Sequence, residues 1–335
     1  MKIQQTTWKT APAATDSIHW KTPSEFPLRL KTFRWLGRQT WIPHGRDWAL
    51  RKMWNPDSGR TFDFEVDFFG FHYPGNLAQY IDWAVFAYGS YPYSELSLLD
   101  ALTRELRKKQ DQVTFLDIGA NVGHHMLFMA GKADQVVAFE PFPRLQQLIQ
   151  QKITRNNLTH VRLVPSALGE NDGVLEYYPG GGSNSGTGTF LPEETGTYQE
   201  PVKIPIKKGD QLLDELGLPR IDICKVDVEG FEPFVFRGLV KHLKASRPPI
   251  LTELTDRSRE GFGNADTFKA CFWDDAIFAE VCAKRQGLPF HLEPFHYETA
   301  HEALILPGEM ADFADRHMKP RRPTGLAQNR NLQHN

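Results

Sequence analysis

Three cysteines in 335 residues, Cys224, Cys271 and Cys282, are too few and too scattered for a disulfide framework or a zinc site. No apolar run reaches the length needed to cross a bilayer, and the N-terminus lacks the apolar core of a signal peptide. A cytoplasmic protein without membrane insertion is therefore expected. Neither sign of charge is in excess: 39 lysines and arginines against 41 acids leave a formal net charge of -2, which gives no reason to expect a nucleic-acid partner. One glycine is missing where it would decide the function. The chain reads Asp117-Ile118-Gly119-Ala120-Asn121-Val122-Gly123, with Ala120-Asn121 where a dinucleotide fingerprint would place its second glycine.

What is present around that turn is more informative. Val113, Phe115, Leu116 and Ile118 form the short apolar run of a central parallel strand, and a helix is expected to open near Val122. Gly119 lets the chain bend there, and Gly123 lets the helix pack on the sheet. The next strand, Gln135 to Phe139, ends in Glu140, a carboxylate placed to accept both hydroxyls of an adenosine ribose. Asp117 sits two residues before Gly119, where it would be awkward beside a pyrophosphate but useful beside the ammonium of S-adenosylmethionine. Three readings of the turn follow: a site for S-adenosylmethionine, a nicotinamide site, and an ordinary strand-to-helix turn capped by Asp117.

Four motifs occur in order: Asp117-Ile-Gly119-Ala120-Asn121-Val-Gly123, Phe139-Glu140-Pro141, Ser166-Ala167-Leu168-Gly169 and Lys225-Val-Asp227-Val-Glu229-Gly230. Together they resemble the FkbM family of S-adenosylmethionine-dependent methyltransferases, over roughly residues 90 to 255. The resemblance implies a doubly wound, mostly parallel, Rossmann-like α/β sheet. It implies cofactor contacts from Asp117, Gly119, Ala120, Asn121, Gly123, Glu140 and Pro141, and a turn at Ser166 and Ala167 beside the adenine. It also implies that a Tyr93/Glu95 pair ahead of the turn lies near the cofactor, with Glu95 able to hold the methionine ammonium. His124-His125 stand where the family pattern has aromatic residues.

Residues 1–90 differ from the rest. They hold seven of the eight tryptophans, and Thr61 to Phe68 alternates like a half-buried strand. A small β-rich, aromatic cap is expected, serving as packing, as a substrate wall, or both. Ser94 is a candidate N-cap for a helix carrying Leu99, Leu102 and Leu106. The glycine-rich 180–188 stretch reads as a mobile loop, either lid or linker. A helix is expected over about 265–285, with strands near 288–291 and 303–306. The division predicted is a cap (1–90), a methyltransferase domain (91–312) and a disordered tail (313–335).

Lys225, Asp227 and Glu229 crowd the carboxyl end of one strand, on one side of it while it stays extended. Methyl transfer to a hydroxyl of a sugar, glycan or secondary metabolite is the expected reaction, and it requires a base. Asp227 and Glu229 are the leading candidates, with Lys225 as their partner and His124 or His125 next. No metal is assigned, because the lysine would repel a cation, although carboxylate-held metal would be an alternative way to acidify the hydroxyl. A cofactor-binding module without catalysis, and a nicotinamide oxidoreductase, are the competing functions. The acceptor would be a small molecule or glycan, and the oligomeric state is open.

Overall fold

The computed structural model describes residues 20–42, 44–180, 188–192, 198–218 and 220–319. Trp8, most of the glycine-rich stretch and the tail beyond Lys319 lie outside them.

The N-terminal region is more helical than expected. Helices α1 (Leu28–Gly37) and α2 (Arg46–Met53) precede a hairpin of β1 (Asp63–Phe68) and β2 (Phe71–Asn76), and α3 (Tyr80–Tyr88) follows. The alternating 61–68 stretch does form a strand, paired from Asp63↔Asn76 to Phe68↔Phe71. The expected β-rich cap is nonetheless corrected to three helices and one hairpin. Leu30 with Phe33, and Arg46 with Leu50, bury at helical spacing, which polar interruptions and the scatter of tryptophans obscured.

The chain then enters its main sheet. Helix α4 (Tyr93–Leu106) starts one residue before Ser94, whose side chain does not cap it. Next come β3 (Thr114–Ile118), α5 (His124–Ala130), β4 (Gln135–Phe139), α6 (Pro143–Arg155) and β5 (Val161–Val164). A separate three-stranded sheet is inserted here, made of β6 (Ala167–Gly169), β7 (Gly173–Tyr177) and β8 (Val202–Lys208) in the order β6-β8-β7. After α7 (Gly209–Leu216) the chain returns through β9 (Ile223–Val226), α8 (Glu232–Gly238), α9 (Val240–Ser246) and β10 (Ile250–Glu253).

The C-terminal part departs from expectation. In place of one helix over 265–285 there are α10 (Asp256–Phe262), α11 (Ala265–Lys269) and an edge-region strand, β11 (Ile277–Cys282). Strands β12 (His291–Pro294) and β13 (Glu302–Leu306) follow, then α12 (Ala311–His317). Phe313 and Ala314 of α12 are buried, so a tail starting at 313 is corrected to a packed helix there.

The eight-stranded sheet runs β12-β11-β13-β10-β9-β3-β4-β5, with β10, β9, β3, β4 and β5 parallel and β13 antiparallel to both β10 and β11. Chain order reverses between β3 and β9. In such sheets ligands bind beyond the carboxyl ends at that reversal. Alternate side chains feed two apolar layers. Phe115, Val136, Ile223 and Leu251 join Phe33, Phe64 and Trp83 of the N-terminal region in one. Leu116, Val137, Cys224 and Ile250 join Val235, Phe236 and Leu243 in the other.

Candidate active site

The glycine turn is stitched between both neighbouring strands. Gly119 and Ala120 each donate their backbone N–H to the Phe139 carbonyl at 3.0 Å, and the Asp227 N–H donates to the Ile118 carbonyl at 3.0 Å. Gly119 (φ 83°), Asn121 (φ 55°) and Gly123 (φ 80°) all take left-handed backbone. At Gly119 a Cβ would also collide with the Asp227 carbonyl oxygen, so glycine is required twice over.

Glu140 closes this turn. Its Oε2 accepts the Asn121 N–H at 2.8 Å and its Oε1 the Phe142 N–H at 2.9 Å. Each oxygen keeps a second lone pair. The side chain is buried, and burial pushes its carboxyl up to about 8 against the two backbone donors, which pull the other way.

Beneath the turn lies a charged layer. Asp117 and Lys225 are register neighbours on β3 and β9, so their side chains leave the same sheet face toward α4 and α5. There they meet Glu95 and His125, whose Oε2 and Nε2 are 3.0 Å apart. Lys225 donates to Asp227 Oδ2 at 2.8 Å. Burial alone would lower the lysine, but Asp227, Asp117 and Glu95 together push it up, so it stays charged. Asp117 is wholly buried, and neither oxygen makes a full hydrogen bond. Burial lifts it to about 6, with Lys225 opposing. Burial lifts Glu95 to about 7, again against Lys225. Burial holds both His124 and His125 well below the usual imidazole value, so they are neutral at pH 7, and neither ring nitrogen of His124 has a partner.

A cavity opens above this layer at the carboxyl edge of the sheet. Gly119, Asn121, Glu140, Pro141, Ser166, Ala167, Asp227 and Glu229 line it. Glu95, Asp117, Ala120, Gly123, His124 and Lys225 are not on its wall; they form the buried layer and the helix start behind it. The alternation expected for Lys225, Asp227 and Glu229 is corrected, because β9 ends at Val226 and Glu229 (φ 55°) sits in a left-handed turn. Burial, then Asp227 and Glu232, pushes Glu229 up to about 8.

Three aromatic walls were not foreseen: Tyr177, Phe190 and Phe231. Tyr177 comes from β7, and the 188–192 segment bridges back to it through Tyr178↔Thr189. Thr189 donates its hydroxyl to the Glu229 carbonyl at 3.2 Å, which ties that segment across the cavity. Of the glycine-rich stretch only its ends are described, and Gly188 lines the cavity. No described tryptophan does so, which leaves the substrate-wall role without support at this cavity. Among the described residues no group of three or more histidine, cysteine or acidic side chains is placed to hold a metal ion.

These residues fit S-adenosylmethionine. Glu140 offers ribose acceptors, aromatic side chains flank the cavity, and an unpartnered carboxylate lies under the glycine turn where a pyrophosphate would be repelled. Fold and site together define an S-adenosylmethionine-dependent methyltransferase. Residues 117–284 match the methyltransferase FkbM domain, and the chain belongs to that family. It is 31% identical over 220 residues to methyltransferase sdnD of Sordaria araneosa, covering 51% of this chain and 81% of that one. It is 29% identical over 153 residues to the hexuronic acid methyltransferase AglP of Haloferax volcanii, covering 42% of this chain and 61% of that one. It is 26% identical over 212 residues to the AMB antimetabolite synthetase AmbE of Pseudomonas aeruginosa, covering 52% of this chain but only 10% of the synthetase's length.

Proposed function

We propose that this chain methylates a hydroxyl oxygen of a sugar or related polyol. The observation that carries the reading is the pair Asp227 and Glu229 on one cavity wall, with Glu229 pushed up to about 8. A carboxyl poised near 8 exchanges protons close to neutral pH, and its ionised form, which grows as pH rises through 8, takes the hydroxyl proton. The similarity to a hexuronic acid methyltransferase supports a sugar acceptor.

S-adenosylmethionine, when bound, supplies a methyl group on a sulfonium that departs as a neutral thioether. The chain's residues supply placement and proton removal. Glu140 and the Ser166–Ala167 turn hold the nucleoside, while Tyr177, Phe190 and Phe231 keep water from the cavity. Asp227, fixed by the buried Lys225, orients the acceptor hydroxyl. As the oxygen–carbon bond forms, the hydroxyl proton passes to a Glu229 oxygen. His124 is the weaker base candidate, since it lies behind the cavity and burial lowers the basicity of its ring. Residues 20–90 would serve this unit as a cap, sharing its apolar layer.

The test is incubation of the purified chain with methyl-labelled S-adenosylmethionine and a panel of free and conjugated sugars. A gain of one methyl, located on oxygen by NMR, is expected. Label appearing only on nitrogen or carbon acceptors would overturn the reading.

A further inference from the structure

Nine large apolar side chains are exposed among the described residues, and four of them fall within twenty-one residues: Leu28 (79%), Trp35 (61%), Trp41 (70%) and Trp48 (67%). They lie on α1, on α2 and in the connection between them. Leu28 and Trp35 are seven residues apart on α1 and so share one of its faces, opposite the buried Leu30, Phe33 and Gly37. Trp48 lies on the outer side of α2, away from the buried Arg46 and Leu50.

The same segment is basic in a chain that is not. Residues 20–54 contain eight lysines and arginines against two acids, while the whole chain carries a formal charge of -2. Lys21, Arg29, Lys31, Arg38, Arg51 and Lys52 are exposed along the same segment, with Lys52 Nζ 5.9 Å from the Trp48 ring.

The segment also has a fixed position. Arg46 Nη2 donates to the Gln286 carbonyl at 3.1 Å, and the Gln286 amide donates to the Ser90 carbonyl at 3.2 Å. The turn holding Gln286 leaves β11, which runs in the same direction as β10 because β13 is antiparallel to both. That turn therefore lies at the carboxyl edge of the sheet, the edge where the cavity opens.

We propose that the outer faces of α1 and α2 dock the protein on an anionic lipid bilayer. Exposed indoles suit the headgroup boundary, where one side of the ring is apolar and the other wet, and basic side chains beside them are drawn to anionic headgroups. The docking is peripheral: no helix among the described residues is long and apolar enough to cross a membrane. The excess of eight basic over two acidic residues in this segment selects an anionic surface by charge complementarity.

The experiment is cosedimentation of the full chain with vesicles of phosphatidylcholine alone and with about one-third phosphatidylglycerol, following indole emission in parallel. Binding to the anionic vesicles only, with a blue shift and loss at high salt, is expected. The triple variant Trp35→Ser, Trp41→Ser, Trp48→Ser should bind at least about tenfold more weakly with its melting temperature unchanged, since none of the three is a core residue. No sedimentation with anionic vesicles would overturn the proposal. So would a triple variant that binds as well as the parent, or binding to a single-stranded RNA oligonucleotide but not to vesicles.

Discussion

At the scale of single residues, the two faces of Glu140 cannot be separated. Were it an exposed strand tip, Glu140→Ala would affect only the cofactor. It is buried and satisfies two backbone N–H groups, so the substitution should weaken S-adenosylhomocysteine binding by roughly 2 kcal/mol and also lower the melting temperature. Calorimetry paired with thermal unfolding checks both, and unchanged affinity would remove the ribose assignment. For chemistry the informative changes are Asp227→Asn and Glu229→Gln. Each should keep cofactor affinity and lose on the order of 10²-fold in turnover. A structural ion pair alone would give the reverse: lower stability with turnover per folded molecule nearly intact. Glu140 and Asp227 were legible in the sequence because each follows a recognisable apolar strand. Tyr177, Phe190 and Phe231 were not, because they reach the cavity from an inserted sheet, a crossing segment and a turn, and only tertiary contacts bring them together.

Among elements, the β3 turn and the joint between cap and α6 carry the sharpest consequences. Gly119→Ala puts a Cβ into the Asp227 carbonyl in a left-handed conformation, so it should destabilise the fold by several kcal/mol, seen as lost soluble yield or a large fall in melting temperature. At the joint, Lys152 of α6 is buried, with its Nζ 4.4 Å from the Tyr73 ring centre. Tyr73 donates its hydroxyl to Asp82 at 2.7 Å, and Asp82 also accepts the Asn76 N–H at 2.9 Å. Lys152→Met would leave Asp82 buried without its cation and should cost about 3 kcal/mol in denaturant unfolding; adding Asp82→Asn should restore much of it. The core strands and helices α4 to α6 were readable from apolar spacing, whereas α1 to α3 were hidden by polar interruptions. The 265–285 region was not. Its buried Phe268, Cys271 and Phe272 sit at helical spacing, but the chain turns at Trp273-Asp274-Asp275 and pairs Ile277 to Glu280 with β13, a contact no local pattern announces.

For the whole molecule, buried acids set the pH dependence. Glu140 and Glu229, raised to about 8 from an ordinary 4.5, keep protons in the folded chain that the unfolded chain has released. Stability therefore falls as pH rises across that interval. His124 and His125 act in the opposite sense below 6.5, where the unfolded chain takes up protons that the buried rings refuse. From about pH 7 to 8.5 the histidines no longer contribute. Unfolding free energy should drop there by roughly 1 kcal/mol for each of Glu140 and Glu229, and Glu95, Glu253 and Glu302, also raised by burial, add in the same sense. Denaturant titrations at both ends check this, and Glu229→Gln should flatten the slope. The strand order was only partly readable: the parallel half follows from βαβ logic, whereas the edge built by β11, β12 and β13 depends on pairings distant in sequence.

The apolar layer shared by Phe33, Phe64 and Trp83 with Phe115 and Val136 has an evolutionary side. The family match begins at Asp117, so Phe33, Phe64 and Trp83 lie outside it, whereas Met126 and Ile149 of the same layer lie inside. Without residues 20–90, Phe115 and Val136 would lose the apolar cover that Phe33, Phe64 and Trp83 share with them. Recombination at residue 90 would strip the sheet rather than exchange a module.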